Sequence, residues 1–383
     1  MTKPTFSILL PTFNKAEFIG YAIESVLKQS DGDWELLVSD NASTDGTKEI
    51  LAKVSDPRVK VSRTDKKLKL TDNWNRAYEM AEGRYVLMMG DDDYLLPDNL
   101  AGFREAIAKF PGDKIFYCDL AAYFIGKRRM EYIEGQGGAA PEDWRIHLRW
   151  MFAYAYQMWP PSTVFEKEFA DRNRGEDGMV YQGPFPDFYV QSLLAIKSGR
   201  TIHVEKTLCV AGRSERSLAI QQSSPDKRVV AFNENRYDDG VAPLRVDTFA
   251  NGFYWSIVKL KEKCPEEMKD FHADKKLYYT TAAAQLSDSA LMFLFRKGAS
   301  TPEFKSSVSD LRTILGQMPA KMKLVDFPIK LAKRLAKHSP DAIRMGVINR
   351  AFFALKGMRM PKTVQFGKGH RISDCASFFE ARK

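Results

Sequence analysis

Five short runs, "FSILLPT" (6–12), "WELLVSD" (34–40), "RVKVSR" (58–63), "RYVLMMG" (84–90) and "KIFYCD" (114–119), are rich in β-formers and apolar at successive positions. They limit what the first 120 residues can become. A strand that is apolar on both faces needs cover on both sides, which is the situation of a parallel sheet flanked by helices. Helical patterns fall between the runs. Ala16 to Gln29 places Ile19, Ile23, Val26 and Leu27 on one face, Thr44 to Val54 carries Ile50 and Leu51, and Thr71 to Ala81 carries Trp74, Ala77 and Tyr78. The alternation predicts an α/β fold with a doubly wound, mainly parallel sheet. Further on, "EDWRIHLRWMFAYAYQMW" (142–159) is expected as a helix, "STVFEK" (162–167) as a strand, and "FPDFYVQSLLAIKSG" (185–199) as a helix stopped by glycine. Residues 226–315 are expected to be mainly helical. A boundary near "QQSSPDK" then divides the chain into 1–225 and a mostly helical region, 226–383.

In such sheets ligands bind beyond the carboxyl ends of the strands. The exits here are "PTFN" (11–14), "SDNASTDGT" (39–47) and "GDDD" (90–93), all polar where the strands are apolar. Asp91, Asp92 and Asp93 stand side by side, and Mg²⁺ in particular is held by one or two carboxylates plus substrate phosphates. Taken alone, turn and helix-cap preferences explain the triplet more simply. Asp40 and Asp45 are open to the same two readings, ligand contact or capping. Thr12 and Phe13 offer a small donor and an aromatic face for a planar base, or ordinary core.

The absences narrow the field. No G-x-x-x-x-G-K-[ST] or G-x-G-x-x-G follows the first strand, and no H-E-x-x-H or G-x-S-x-G is present. Four cysteines without a C-x-x-C pair indicate neither a zinc site nor a disulfide framework. No apolar stretch reaches the length of a membrane span and the N-terminus has no signal-peptide core, so a cytoplasmic location is expected.

Taken in order, "FSILLPTFNKAEFIGYAIESVLKQ", "WELLVSDNASTDGT" and "NRAYEMAEGRYVLMMGDDDYLLPDNL" resemble the N-terminal half of family 2 glycosyltransferases, inverting enzymes of the GT-A fold that use nucleotide-diphospho-sugars. The resemblance is continuous over roughly residues 5–110 and weaker to about 220. It implies that Thr12 and Phe13 flank the nucleobase and that Asp40 binds the base ring. It places Asp91 near the ribose and sugar, with Asp92 and Asp93 as the D-x-D-type ligands of Mn²⁺ or Mg²⁺. Asn41 departs from the commoner second Asp of the family, and UDP is the default nucleotide. Asp187 matches the catalytic carboxylate of an "ED" pair in which Pro186 replaces Glu. Arg213 or Arg216 matches a segment that approaches the diphosphate.

The net charge of +9 is concentrated near the C-terminus: residues 318–362 hold eleven Lys/Arg against two Asp. There Leu324, Phe327, Leu331 and Leu335 share one helical face while Lys330, Lys333, Arg334 and Lys337 take another. Such a segment fits a peripheral site on an anionic membrane, or a packed helix with a solvated basic face. Nucleic acid is not expected as a partner, since the basic residues are interleaved with aliphatics and no binding motif is present. The expected partners are a nucleotide-sugar donor and a glycan or lipid-linked glycan acceptor of surface polysaccharide assembly. The rival readings are a nucleotidyltransferase of related fold and a non-catalytic nucleotide-sugar-binding scaffold.

Overall fold

The computed structural model describes residues 3–151, 158–183, 185–214, 249–273, 362–367 and 369–382, with single positions at 278, 305 and 309. Among the described residues eleven strands form one sheet: β1 (Phe6–Thr12), β2 (Trp34–Asp40), β3 (Val59–Arg63), β4 (Tyr85–Met88), β5 (Tyr94–Leu95), β6 (Ile115–Phe124), β7 (Arg129–Tyr132), β8 (Ala139–Asp143), β9 (Thr163–Glu166), β10 (Arg200–Arg213) and β11 (Lys362–Gln365). The helices are α1 (Ile19–Leu27), α2 (Thr47–Leu51), α3 (Leu70–Glu79), α4 (Asn99–Lys109), α5 (Arg145–Met151), α6 (Lys167–Asp171), α7 (Pro186–Ser198), α8 (Phe249–Lys263) and α9 (Asp374–Glu380). The strand order is β11-β7-β6-β9-β4-β1-β2-β3, with β10 alongside β6. β3-β2-β1-β4 pair in parallel, and β9 runs antiparallel between β4 and β6.

The period-2 alternation of strand side chains sends the residues of β1, β2 and β4, all of them buried, into two different cores. Leu9, Leu37, Val86 and Met88 point into one core, while Phe6, Ile8, Leu10, Leu36, Val38 and Leu87 point into the other. α1 covers the second face with Ile19, Ala22, Ile23 and Val26, joined by Leu100 and Phe103 of α4. α3, α7 and α8 cover the first with Tyr78, Leu194 and Ile257. Each fully buried Leu or Ile contributes roughly 1.5–3 kcal/mol.

The structure refines several expectations. β3 is half-exposed, as an edge strand with one neighbour must be, so "RVKVSR" is not covered on both faces. Ala139–Asp143 pairs with β10, so the helix expected from Glu142 begins only at Arg145. Residues 152–157 of that expected helix lie outside the described residues. "STVFEK" forms β9, and α7 ends on Gly199 at φ 80, the left-handed conformation glycine tolerates. The boundary near 225 and the basic stretch through residue 361 also lie outside the described residues. Beyond them the chain returns to the N-terminal sheet, where β11 pairs with β7, and Ile372, just before α9, and Cys375 within it join Tyr94 and Tyr132 in one core cluster. Among the described residues no helix is long and apolar enough to cross a membrane.

β6, β8 and β10 are locked by a buried polar cluster. His203 meets Asp119 Oδ1 at 2.9 Å and Glu142 Oε1 at 3.3 Å, and its ring stacks on Tyr117 at 4.4 Å. Burial favours the neutral imidazole, but the two carboxylates prevail and push His203 up to about 9. Its ordinary value is about 6.5, so the stabilisation is complete below pH ~6.5 and fades as pH rises through the folded value. The wild type should therefore melt several degrees above His203→Gln at pH 6, with the gap closing towards pH 10 in thermal scans.

Candidate active site

The parallel pairing of β1, β2 and β4 brings their carboxyl ends to one edge, with Thr12 opposite Asp40 and Leu9 opposite Met88. The chain leaving β4 therefore crosses the end of β1, where Thr12 Oγ1 donates to Asp91 Oδ2 at 2.8 Å. Lys15 supplies the positive charge: its ammonium lies 3.2 Å from Asp91 Oδ1 and 3.7 Å from Asp92 Oδ2. Asp93 turns the other way. Its Oδ2 accepts the Gly90 amide at 2.7 Å and its Oδ1 accepts the Gly212 amide of β10 at 3.1 Å. Asp93 thus ties the acidic turn to β10. Glycine is needed at both contacts, since a Cβ on Gly90 would sit 2.9 Å from Asp93 Oδ2 and one on Gly212 would overlap the Asp92 carbonyl.

The electrostatics follow from burial. Burial raises the Asp91 carboxyl, Lys15 opposes it, and Asp92 adds like-charge repulsion that leaves the net shift upward. Asp93 is raised by burial and by Asp92, against the pull of its two amides and Arg213. Arg213, at the end of β10, is lowered by burial against the opposing pull of Asp93 and Asp92. Its guanidinium lies 4.7 Å from the Trp159 ring centre, and Trp159 packs edge-on against Phe188 at 5.4 Å. Phe188 belongs to the first turn of α7.

Asp187 sits in the first turn of α7 and is partly exposed. Burial pushes it up to about 6, while the Phe188 and Asp187 amides pull it down. That places it where a carboxylate can take up a proton near neutrality. Tyr181 lies in its electrostatic field, and the buried Tyr181 hydroxyl has no hydrogen-bond partner among the described residues. Asn75 of α3 positions that segment by accepting the amides of Val180 and Tyr181, each at 3.0 Å.

The β2 exit is tied down by hydrogen bonds and one ion pair. Asp40 is buried; its Oδ1 accepts the Ser43 amide at 3.0 Å and its Oδ2 is paired with Arg63. Asn41 exchanges two hydrogen bonds with the Leu68 backbone, at 2.7 and 3.1 Å. Only an amide can both donate and accept there, which gives a physical reason for Asn in place of Asp. The Lys67 ammonium lies 4.7 Å from the centre of the Phe13 ring. Asp45 accepts both the Thr47 backbone, as a cap would, and the Ala16 amide across the loops.

The structure thus groups Thr12, Asp91, Asp92, Asp93 and Arg213, sets Phe13 and Asp40 at the adjoining exits, and carries Asp187 in the first turn of α7. Trp144 is core, Trp159 is half-buried, and the side chain of Trp150 and all of Arg216 lie outside the described residues. Sequence reasoning missed Lys15, Arg63, Tyr181 and Gly212. Lys15 had a signal: it is a cation directly after "PTFN" at a strand exit opposite three carboxylates. Among the described residues no three His, Cys, Asp or Glu side chains form a metal cage. The donor set nevertheless fits a hard divalent ion, because Asp91 and Asp92 already converge on a single positive charge and leave the remaining ligands to phosphate and water.

Residues 7–162 match the family model described as Glycosyl transferase family 2. Over 100 residues the chain is 36% identical to the putative teichuronic acid biosynthesis glycosyltransferase TuaG of Bacillus subtilis, covering 26% of this chain and 40% of that protein. Over 94 residues it is 34% identical to the Escherichia coli UDP-Glc:alpha-D-GlcNAc-diphosphoundecaprenol beta-1,3-glucosyltransferase WfgD, covering 24% and 37%. The chain spans less than half the length of either relative. Among solved structures, Staphylococcus aureus TarS 1-349 in complex with UDP-GlcNAc aligns with 16% identity over 82% of this chain and 90% of that one, at a TM-score of 0.46.

The Gly212 contact gives a direct check on this geometry. Gly212→Ala should destabilise the chain by about 1–3 kcal/mol in urea unfolding, the usual range for overpacking, because the Asp92 backbone must move.

Proposed function

We propose that this chain, whose residues 7–162 form a family 2 glycosyltransferase domain, moves a sugar from a nucleotide-diphospho-sugar to a hydroxyl of a glycan or lipid-linked glycan, with inversion. The observation that carries the reading is the convergence of Asp91 and Asp92 on one cation at the carboxyl edge of the parallel strands. The names of TuaG and WfgD support the class of acceptor, and WfgD's name supports UDP as the nucleotide.

In this reading Phe13 and Thr12 border the base, Asp40 orders its end of the cleft through Ser43 and Arg63, and Asp91 faces the ribose and sugar. Asp92 is the principal ligand of a Mn²⁺ or Mg²⁺. Asp93, with both oxygens on backbone amides, contributes by holding the turn in place. When bound, the metal ion neutralises charge on the leaving diphosphate. Arg213 adds a fixed positive charge on the β10 side, kept in orientation by Trp159. Asp187 accepts the proton of the acceptor hydroxyl as that oxygen attacks the anomeric carbon from the face opposite the diphosphate. The carbon–oxygen bond to phosphate breaks as the new glycosidic bond forms, and the nucleoside diphosphate departs.

We also propose that residues 318–362 bring the enzyme to an anionic membrane surface, where a lipid-linked acceptor resides, on the cytoplasmic side. Because β11 and α9 belong to the folded sheet, substitution is a cleaner test than truncation. Changing Lys330, Lys333, Arg334 and Lys337 to Gln should abolish flotation with phosphatidylglycerol liposomes, and flotation equal to wild type would contradict the membrane role.

The function itself is tested by incubating the protein with Mn²⁺ and a panel of nucleotide sugars and following hydrolysis or transfer. A UDP-sugar should turn over, with the rate falling as pH drops through about 6, the value to which Asp187 is raised. Asp187→Asn should lower turnover by roughly 10²–10⁴-fold, the usual contribution of a general base, with nucleotide affinity retained. Asp92→Ala should lose both turnover and metal-dependent nucleotide binding. Absence of turnover with every donor, or wild-type turnover in Asp187→Asn, would refute the assignment.

A further inference from the structure

Lys15 is held in place by more than its ion pairs. The amides of Asn14, Lys15 and Ala16 donate in succession to Ser43 Oγ at 2.9 Å, Thr47 Oγ1 at 3.1 Å and Asp45 Oδ2 at 3.0 Å. Asn14 adopts φ 54, and its side-chain oxygen accepts the Thr44 amide at 2.7 Å. The β1 exit is thus laced to the β2 exit, and the lacing aims one ammonium at the acidic turn. The Lys15 side chain is only 14% exposed, and those of Asp91 and Asp92 are each 12% exposed. In such a setting screening by solvent is weak and charges a few ångströms apart act strongly on one another.

Two opposite consequences follow for two ligands. A divalent cation that engages Asp91 and Asp92 competes with Lys15 for the same oxygens and is repelled by it. A nucleoside diphosphate at the same edge offers Lys15 new anionic partners and relieves that repulsion.

We propose that Lys15 couples the two binding events, opposing a divalent cation that arrives alone and favouring one that arrives with a nucleoside diphosphate. The inference rests on the reading of Asp91 and Asp92 as the donor and metal site. Coupling of this kind is reciprocal, so the factor by which UDP strengthens metal binding equals the factor by which metal strengthens UDP binding.

The test is Mn²⁺ titration of the full chain, followed by the paramagnetic resonance signal of free Mn²⁺, with and without saturating UDP. Lys15→Met keeps the length and apolar stem of the side chain and removes the charge, and a thermal melt like that of the wild type confirms its fold. Wild type should bind Mn²⁺ at least ~10-fold more tightly with UDP than without, the scale expected of one charge at this separation. Lys15→Met should bind Mn²⁺ alone about 10-fold more tightly than wild type, and its enhancement by UDP should shrink by a similar factor. Lys15→Arg should restore the coupling. Wild-type coupling with an unchanged or weaker Mn²⁺ affinity in Lys15→Met overturns the inference alone. Failure of both proteins to bind Mn²⁺, with or without UDP, overturns the donor-site reading and the inference with it.

Discussion

Three consecutive carboxylates at the end of a buried strand repel one another, and the architecture at this edge of the sheet is arranged around that repulsion. Asp91 is answered by Thr12 and Lys15, Asp92 by the same ammonium, and Asp93 by two backbone amides with Arg213 behind them. Each answer comes from a different segment: the β1 exit, the turn itself and the end of β10. The parallel register of β1 with β4 and the close approach of β10 bring these partners together.

The same constraint separates roles within the triplet. A carboxylate whose two oxygens each accept a short amide bond is committed to the backbone, which describes Asp93. Asp91 and Asp92 instead face a side-chain ammonium, that of Lys15. Three adjacent residues of identical chemistry thus have different kinds of partner, backbone amides for Asp93 and a side-chain ammonium for Asp91 and Asp92.

Much of the first 120 residues was legible from the pattern. Five runs became β1 to β4 and β6; four of them are legible because a strand buried on both faces leaves a continuous apolar signature, and β3, exposed in part at the sheet edge, through its β-forming valines. The polar exits were legible for the complementary reason. β10 was not, although it is the longest strand, because "RTIHVEKTLCVAGR" mixes charged and apolar residues where the strand passes from edge to core. Nor was the return of the chain at β11 and α9, whose partners lie more than two hundred residues away in sequence. At the site, residue types were legible and pairings were not. Asp40 and Arg63, or Thr12 and Asp91, meet only through tertiary structure.

The central claim is that the edge where β1, β2 and β4 end holds a nucleoside diphosphate with a divalent ion on Asp92. The most direct measurement is a crystal structure grown with UDP and Mn²⁺, with the metal located by its anomalous scattering. The account predicts a manganese peak about 2 Å from an Asp92 carboxylate oxygen, with the diphosphate beside Lys15 and Arg213. A manganese ion and UDP bound elsewhere, with Asp92 still paired to Lys15, would contradict it.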